Sequence, residues 1–264
     1  MAAESAPEPT RIVVTGASGR MGAELLAAAG DRADVQVVAA VARTPGSVTA
    51  EAAVGTHLDA TLSDEASVDA VVDFTVPEAT AEYAGTAAAH GVAFVTGTTG
   101  LEGHDADPLG ALDEASGSVP VLHASNFSRG IAALRGAIRK AAASLPGYDV
   151  EVTETHHNGK RDAPSGTALT LVEDVERERP DLTARQHGRA GEQPRDPGEI
   201  GLHARRAGDV TGEHEVLFAG NRETVSLSHA AGDRGVFAQG ALDAAVALVD
   251  RDPGRYEFAE LLQD

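Results

Sequence analysis

The chain has 264 residues, 42% of them hydrophobic, with 41 acidic and 21 basic side chains for a formal charge of −20. That length suits one large domain or two modest ones with a packed core, and the sign of the charge excludes a sequence-independent nucleic-acid binder. The absence of cysteine removes disulfides, thiolate metal sites and cysteine nucleophiles, and no apolar run is long enough to span a bilayer. Aromatic residues make up 3%, so the core must be built from Val, Leu, Ile and Ala. Lysine occurs only as Lys140 and Lys160. An acidic, lysine-poor composition points to the cytoplasm of an extreme halophile, where salt screens the self-repulsion. The start, M-A-A-E-S-A-P-E-P-T, has neither a basic region nor an apolar core, so it reads as a short disordered lead-in rather than a signal peptide.

The first element is the β-branched run Arg11–Thr15, which suits a buried strand. It enters G-A-S-G-R-M-G, Gly16 to Gly22, and an Ala- and Leu-rich helix from about Arg20 to Ala29. Strand, glycine turn and helix are the context of a dinucleotide fingerprint: glycines admit a pyrophosphate and the helix start supplies N–H groups. The spacing is G-x-x-G-x-x-G, and an ordinary tight turn is the plain alternative. A second strand, Asp34–Ala42, ends at Arg43, where a ribose-reading residue is expected. An arginine without a carboxylate fits the 2′-phosphate of NADP; a solvent-facing arginine fits equally.

Further units follow. Val68–Phe74 runs into Thr75 and Pro77 and a helix to His90; Val92–Thr96 runs into Gly97, Thr98, Thr99 and Gly100; Val119–His123 runs into Ala124, Ser125, Asn126 and Phe127. Strands alternating with helices imply a parallel sheet, and the small residues at its strand ends describe one cofactor cleft. A helix over 128–145 stops at Pro146-Gly147. Tyr148–Thr155 alternates as a half-solvated strand, and a helix begins at Ser165, its plausible N-cap, and continues to about Arg179. A charged loop over 180–199 precedes strands at 200–206, 214–219 and 224–229, which with Tyr148–Thr155 make a mixed or antiparallel sheet. A final helix spans 235–249.

The densest chemistry lies in E-T-H-H-N-G-K-R-D-A-P-S-G-T-A, Glu154 to Ala168. Histidine moves protons near neutrality, a lysine near another cation becomes a better acid, and the N–H groups of Gly166 and Thr167 suit an anion. Metal binding is disfavoured, because His156 and His157 diverge and no Cys or H-x-x-x-H supports them. Glu154 and Asp162 read as groups that orient neighbours or face water, and His187, His203, His214 and His229 as structural or solvated.

Taken in order, G-A-S-G-R-M-G, D-F-T-x-P, G-T-T-G, A-S-N-F-S, H-H-N-G-K-R-D-A-P-S-G-T-A and R-R-A-G-D-V-T-G-E-H resemble the 4-hydroxy-tetrahydrodipicolinate (dihydrodipicolinate) reductase family over nearly the whole chain. The resemblance implies an α/β fold: a Rossmann domain at 1–127 and 235–264, and an inserted α+β domain at 128–234 that binds substrate and builds a homotetramer through its mixed sheet. It implies NAD(P)H-dependent reduction of a cyclic imine dicarboxylate, on the diaminopimelate route to lysine. By position, Gly16, Ala17, Ser18, Gly19, Arg20 and Met21 hold the pyrophosphate. Arg43 contacts the adenosine ribose or its phosphate. Gly97, Thr98, Thr99 and Ala124, Ser125, Asn126, Phe127 line the nicotinamide side. His156 is the proton donor/acceptor and Lys160 the proton donor, while His157, Lys160, Gly166 and Thr167 receive the substrate carboxylates. Some members carry an acidic residue where this chain has Ala42, so NADPH is the expected cofactor, with NADH as the alternative. Neither nucleic acid nor membrane is expected as a partner. The competing functions are another NAD(P)-linked dehydrogenase and a non-enzymatic nucleotide sensor. A sensor has no need of the histidine-lysine segment, and a thiol-dependent semialdehyde dehydrogenase is excluded by the missing cysteine.

Overall fold

The structure is a computed structural model that describes residues 8–50, 52–65 and 67–261; the first seven residues of the expected lead-in lie outside the described residues. The chain begins with β1 (Thr10–Thr15), α1 (Arg20–Gly30), β2 (Val35–Val41), β3 (Ala53–Gly55), α2 (Leu58–Asp64), β4 (Ala70–Asp73), α3 (Pro77–His90), β5 (Ala93–Thr96), α4 (Pro108–Ser116) and β6 (Pro120–His123). It continues with α5 (Arg129–Ser144), β7 (Asp149–His156), α6 (Gly166–Glu178), β8 (Ala184–His187), β9 (Glu199–Arg206), β10 (Gly212–Gly220) and β11 (Glu223–Ala231), and ends with α7 (Gly235–Leu248), β12 (Gly254–Tyr256) and α8 (Phe258–Leu261). Two compact units result, residues 1–127 with 234–264, and residues 128–233.

The first unit is built on a seven-stranded sheet of order β12-β6-β5-β4-β1-β2-β3, parallel throughout. Its strands are short apolar runs because both faces are covered: every residue of β4 and of β5 is buried. Val13, Val71, Phe94 and Val121 pack against Leu58, Ala84 and Leu112 of α2, α3 and α4, while α7 lies on β1, β4, β5 and β6 and against α1. The order reverses between β1 and β4, and the carboxyl ends of these two strands meet where the Phe74 N–H reaches the Thr15 carbonyl at 3.4 Å. Open α/β sheets take ligands at such a switch point.

The second unit carries a five-stranded sheet of order β11-β10-β7-β9-β8. It is mixed: β7 runs parallel to β9 and antiparallel to β10. One face is apolar, with Val150, Val152, Val216 and Phe218 packed against Ile131, Ile138, Leu171 and Val175 of α5 and α6. Side chains that alternate in and out along β7 place residues two apart on the same face. Glu154 and His156 share a face for that reason.

Several elements depart from the sequence reading. The charged loop expected over 180–199 contains β8, which pairs parallel to β9. A-R-Q-H has no apolar face, so pairing with a neighbour rather than burial makes it a strand. The short elements β3, α2, α4, β12 and α8 were not anticipated. Aliphatic residues do fill most of the core, but Phe94, Phe127 and Phe218 are among its largest fully buried side chains.

Candidate functional site

The carboxyl ends of the first unit's central strands gather the residues expected to meet a cofactor. Gly16 has φ +71°, and a Cβ there would collide with the Phe74 carbonyl, so only glycine fits. The turn closes with the Gly19 N–H donating to the Gly16 carbonyl at 2.8 Å. Ser18, Gly19 and Arg20 are exposed, Met21 is half-buried and Ala17 is buried. Gly19 is the N-cap of α1, offers no side-chain bond to the first-turn N–H groups, and no acidic residue occupies that turn. The amides are left for an anion, and the helix dipole favours one. Gly22 lets α1 lie against the turn, since a Cβ at this position would stand 2.6 Å from the Ala17 Cα. Arg43 is exposed just beyond β2, next to the buried Ala42.

Asp73, at the end of β4, organises the surrounding loops and went unnoticed in the sequence. It is fully buried and accepts five threonine hydroxyls: Thr15 and Thr75 at 2.6 Å each, Thr80 at 2.7 Å, Thr96 at 2.8 Å and Thr98 at 3.0 Å. These threonines flank the Gly16 turn, the loop after β4 and the G-T-T-G loop. The carboxylate thus fixes three strand ends at once through charge-assisted hydrogen bonds. The Thr98 hydroxyl is committed to this network, whereas Thr99 is exposed. Gly97 lies over the Phe74 ring, and His123 bonds the Thr98 carbonyl at 3.1 Å. Ala124 and Asn126 are half-buried and Ser125 is exposed. The Phe127 ring packs between Phe74 and Phe258, so only its backbone remains for a ligand.

The second unit holds the residues expected to move protons. His156 ends β7, and its Nδ1 lies 2.5 Å from a Glu154 carboxylate oxygen. Glu154 is fully buried. It accepts two hydrogen bonds from Arg206 at 2.8 Å each and one from the Ser165 N–H at 3.1 Å. Burial pushes its carboxyl up, but the hydrogen bonds from Arg206 and His156 and their charges hold it below the usual carboxylate range. Burial pushes the His156 imidazole down from its ordinary value; Glu154 opposes this, and the positive charges of Lys160 and Arg206 add to it. Gly212 leaves room for the ring, since a Cβ there would stand 3.0 Å from His156 Nε2. His214 packs edge-on against His156 with centroids 5.2 Å apart and lies 3.2 Å from Ser165 Oγ. Burial, with the charge of His156, pushes His214 down to about 4, so it stays neutral at working pH.

His157 is half-buried just past the strand. Its carbonyl accepts the Lys160 N–H at 3.1 Å, which folds the loop back. The Lys160 ammonium pairs with Asp162 at 2.9 Å. Burial raises the Asp162 carboxyl, but the Lys160 hydrogen bond and charge outweigh it and hold the group below the usual range. Ser165 caps α6, its Oγ accepting the Ala168 N–H at 3.2 Å. Gly166 and Thr167 form the first turn, which carries no acidic residue. Among the described residues no group of three metal-ligating side chains converges.

His156, Lys160, His157 and the Gly166–Thr167 turn thus gather in the second unit, and the glycine turn, Arg43 and the loops at 97–99 and 124–127 in the first. The sequence reading left Glu154 either orienting neighbours or facing water, and the structure has it orienting His156; His214, read as structural or solvated, is buried, and Arg206 was given no role. The E-x-H spacing on an alternating strand was the available signal for Glu154; the other two depend on strand register, in which Arg206 lies opposite His156.

Comparison with known proteins gives two family matches that together span most of the chain. Residues 10–127 match the family model "Dihydrodipicolinate reductase, N-terminus" and residues 130–262 match "Dihydrodipicolinate reductase, C-terminus". The chain is 51% identical over 249 residues to the 4-hydroxy-tetrahydrodipicolinate reductase of Natronomonas pharaonis, covering 94% of this chain and 98% of that one. It is 46% identical over 254 residues to the enzyme of the same name from Haloarcula marismortui, covering 96% and 99%. In fold it resembles dipicolinate-bound dihydrodipicolinate reductase from Paenisporosarcina sp. TG-14, with a TM-score of 0.77, 23% identity and coverage of 94% and 97%. It also resembles an amine dehydrogenase from Mycobacterium smegmatis, with a TM-score of 0.62, 16% identity and 95% coverage of both chains.

Proposed function

The chain belongs to the dihydrodipicolinate reductase family, and from that premise we propose that it catalyses the NAD(P)H-dependent reduction of the cyclic imine derived from 4-hydroxy-tetrahydrodipicolinate to tetrahydrodipicolinate, a step toward diaminopimelate and lysine. When bound, the nicotinamide nucleotide supplies the hydride. The first-turn amides of α1 and the Gly16–Gly19 turn hold its pyrophosphate. Arg43, exposed and without a neighbouring carboxylate at position 42, receives the 2′-phosphate, so NADPH is the preferred form. The backbones at Gly97–Thr99 and Ala124–Phe127 line the nicotinamide side.

Hydride uptake by the conjugated imine leaves an electron pair on the substrate, and a proton must follow. Lys160 is the proton donor, its ammonium oriented by Asp162. His156 is the proton donor/acceptor, with its Nδ1 engaged by Glu154 and its Nε2 left for the exchange. His157, Lys160 and the Gly166 and Thr167 amides take the two substrate carboxylates, the helix start adding its dipole. This cationic pocket counters a chain of charge −20, which otherwise repels a dianion.

The His156–Glu154 pair beside the uncapped-by-acid start of α6 carries this reading, because it joins a proton-transfer group to an anion site. No helix among the described residues is long and apolar enough to cross a membrane, and the protein is proposed to work in the cytoplasm, at high salt, as a homotetramer assembled through its five-stranded sheet. The test is turnover of Lys160→Ala and His156→Ala at multimolar KCl, with substrate generated in situ by dihydrodipicolinate synthase. The reading requires kcat to fall by at least about 10²-fold in each, the usual contribution of a positioned acid–base group. Full activity in both variants would contradict the residue assignment.

A further inference from the structure

Glu154 does more than touch His156. Its carboxylate is sealed from solvent, yet it faces a guanidinium on one side and an imidazole on the other. Arg206 binds it with both Nη atoms at 2.8 Å. The same guanidinium donates to the Arg205 carbonyl at 2.6 Å and to the Asp162 carbonyl at 2.5 Å. Asp162 in turn holds Lys160. Arg206 therefore ties the partner of His156 to the backbone that carries the partner of Lys160, and four hydrogen bonds leave its guanidinium no freedom to swing away.

A lone buried carboxylate beside an imidazole favours imidazolium; a carboxylate already neutralised by a bidentate arginine does so far less. We propose that Glu154 and Arg206 act as a positioning pair for His156: the carboxylate fixes the tautomer with the proton on Nδ1, and the guanidinium cancels the carboxylate charge, so that the ring rests neutral with a bare Nε2. The charged and titratable groups facing the ring are Glu154 on β7, Arg206 on β9, His214 on β10 and Lys160 on the following loop. Lys160 and Arg206 both disfavour a second positive charge, and His214, held neutral by burial, adds none. The functional weight of the pair rests on the proposed role of His156 in proton transfer; its effect on the ring does not.

The experiment is nitrogen NMR of the full-length protein labelled with [¹⁵N]histidine, with His156 assigned by a His156→Gln variant. Wild-type protein should show His156 protonated at Nδ1. Arg206→Leu, which strips the countercharge, should raise the midpoint of the His156 titration by about one pH unit, the size of a single nearby charge. Glu154→Gln, which keeps an acceptor but leaves Arg206 unbalanced, should lower it, and the double variant should return toward wild type. A purely structural role predicts no such opposition of sign. Protonation at Nε2 in the wild type, or shifts of the same sign or none in the two single variants, would overturn the proposal. Should Glu154→Gln fail to fold, the wild-type tautomer and the direction of the Arg206→Leu shift decide it. The acid limb of the kcat profile of Arg206→Leu separates the two claims. If the ring shifts while that limb stays put, the pair stands and the proton-transfer reading of His156 falls.

Discussion

Replacing Gly22 with alanine adds a single methyl group between α1 and the glycine turn. The new Cβ would stand 2.6 Å from the Ala17 Cα and nearer still to the Gly16 carbonyl oxygen, whereas real Cβ atoms essentially never come within 3.0 Å and ordinary contact begins at 3.4 Å. Both obstacles are backbone, so no side chain can rotate away. The turn and the helix must separate by about 1 Å to restore van der Waals distance. Alanine is the better helix former by about 1 kcal/mol, so the helix itself persists. What is lost is the alignment of the first-turn amides with the turn that precedes them. Hydrogen bonds to a charged group are worth about 1.5–3 kcal/mol each. Misaligning two of them weakens pyrophosphate binding by about 10²- to 10⁴-fold. Isothermal titration of NADPH into wild type and Gly22→Ala at one fixed salt concentration measures the change, with circular dichroism confirming the fold. An affinity within about threefold of wild type, in a folded variant, would refute the argument that this turn cradles the cofactor.

Two further predictions test other parts of the site. His214 takes up a proton in the unfolded chain near 6.5 but only near pH 4 when folded, so acidification through that window destabilises the protein, by up to about 3 kcal/mol. His214→Gln should flatten the fall in denaturation midpoint between pH 6.5 and 4; identical slopes would contradict the burial argument. In Asp73→Asn, Thr96 Oγ and Thr98 Oγ already accept the Thr98 and Thr75 N–H groups, so the amide NH₂ must turn toward Thr15 and Thr75. That strands a hydroxyl proton and weakens the other bonds, for a loss of about 2–4 kcal/mol, read as a drop in Tm; an unchanged Tm would show that the network contributes little.

The parallel sheet was legible because its strands are buried on both faces and so carry short apolar runs, Ala70–Val72 and Val92–Val95 among them. Ser165 could be named as an N-cap because a serine before a helical run has few other uses, and its Oγ does accept the Ala168 N–H. The helix α4 went unread although Asp107 and Pro108 mark its start; at nine residues it is too short for a helical pattern to be told from a loop. β8 and β12 were invisible because pairing, not side-chain pattern, makes them strands. In the candidate site, the histidine–lysine segment stood out by residue type alone. Arg206 could not be connected to it, since 50 residues separate it from His156 and only the β7–β9 register brings them opposite. The threonine shell of Asp73 was hidden for the same reason: its members come from separate strand ends, each unremarkable by itself.

The reductase activity itself is the most direct test. In multimolar KCl, with dihydrodipicolinate synthase generating substrate from its precursors, oxidation of NADPH and of NADH would be followed at matched concentrations. The account predicts substrate-dependent oxidation, stoichiometric with imine reduced and faster with NADPH, with that preference lost in Arg43→Ala. No oxidation with either nucleotide, in protein shown to be folded at that salt, would contradict it.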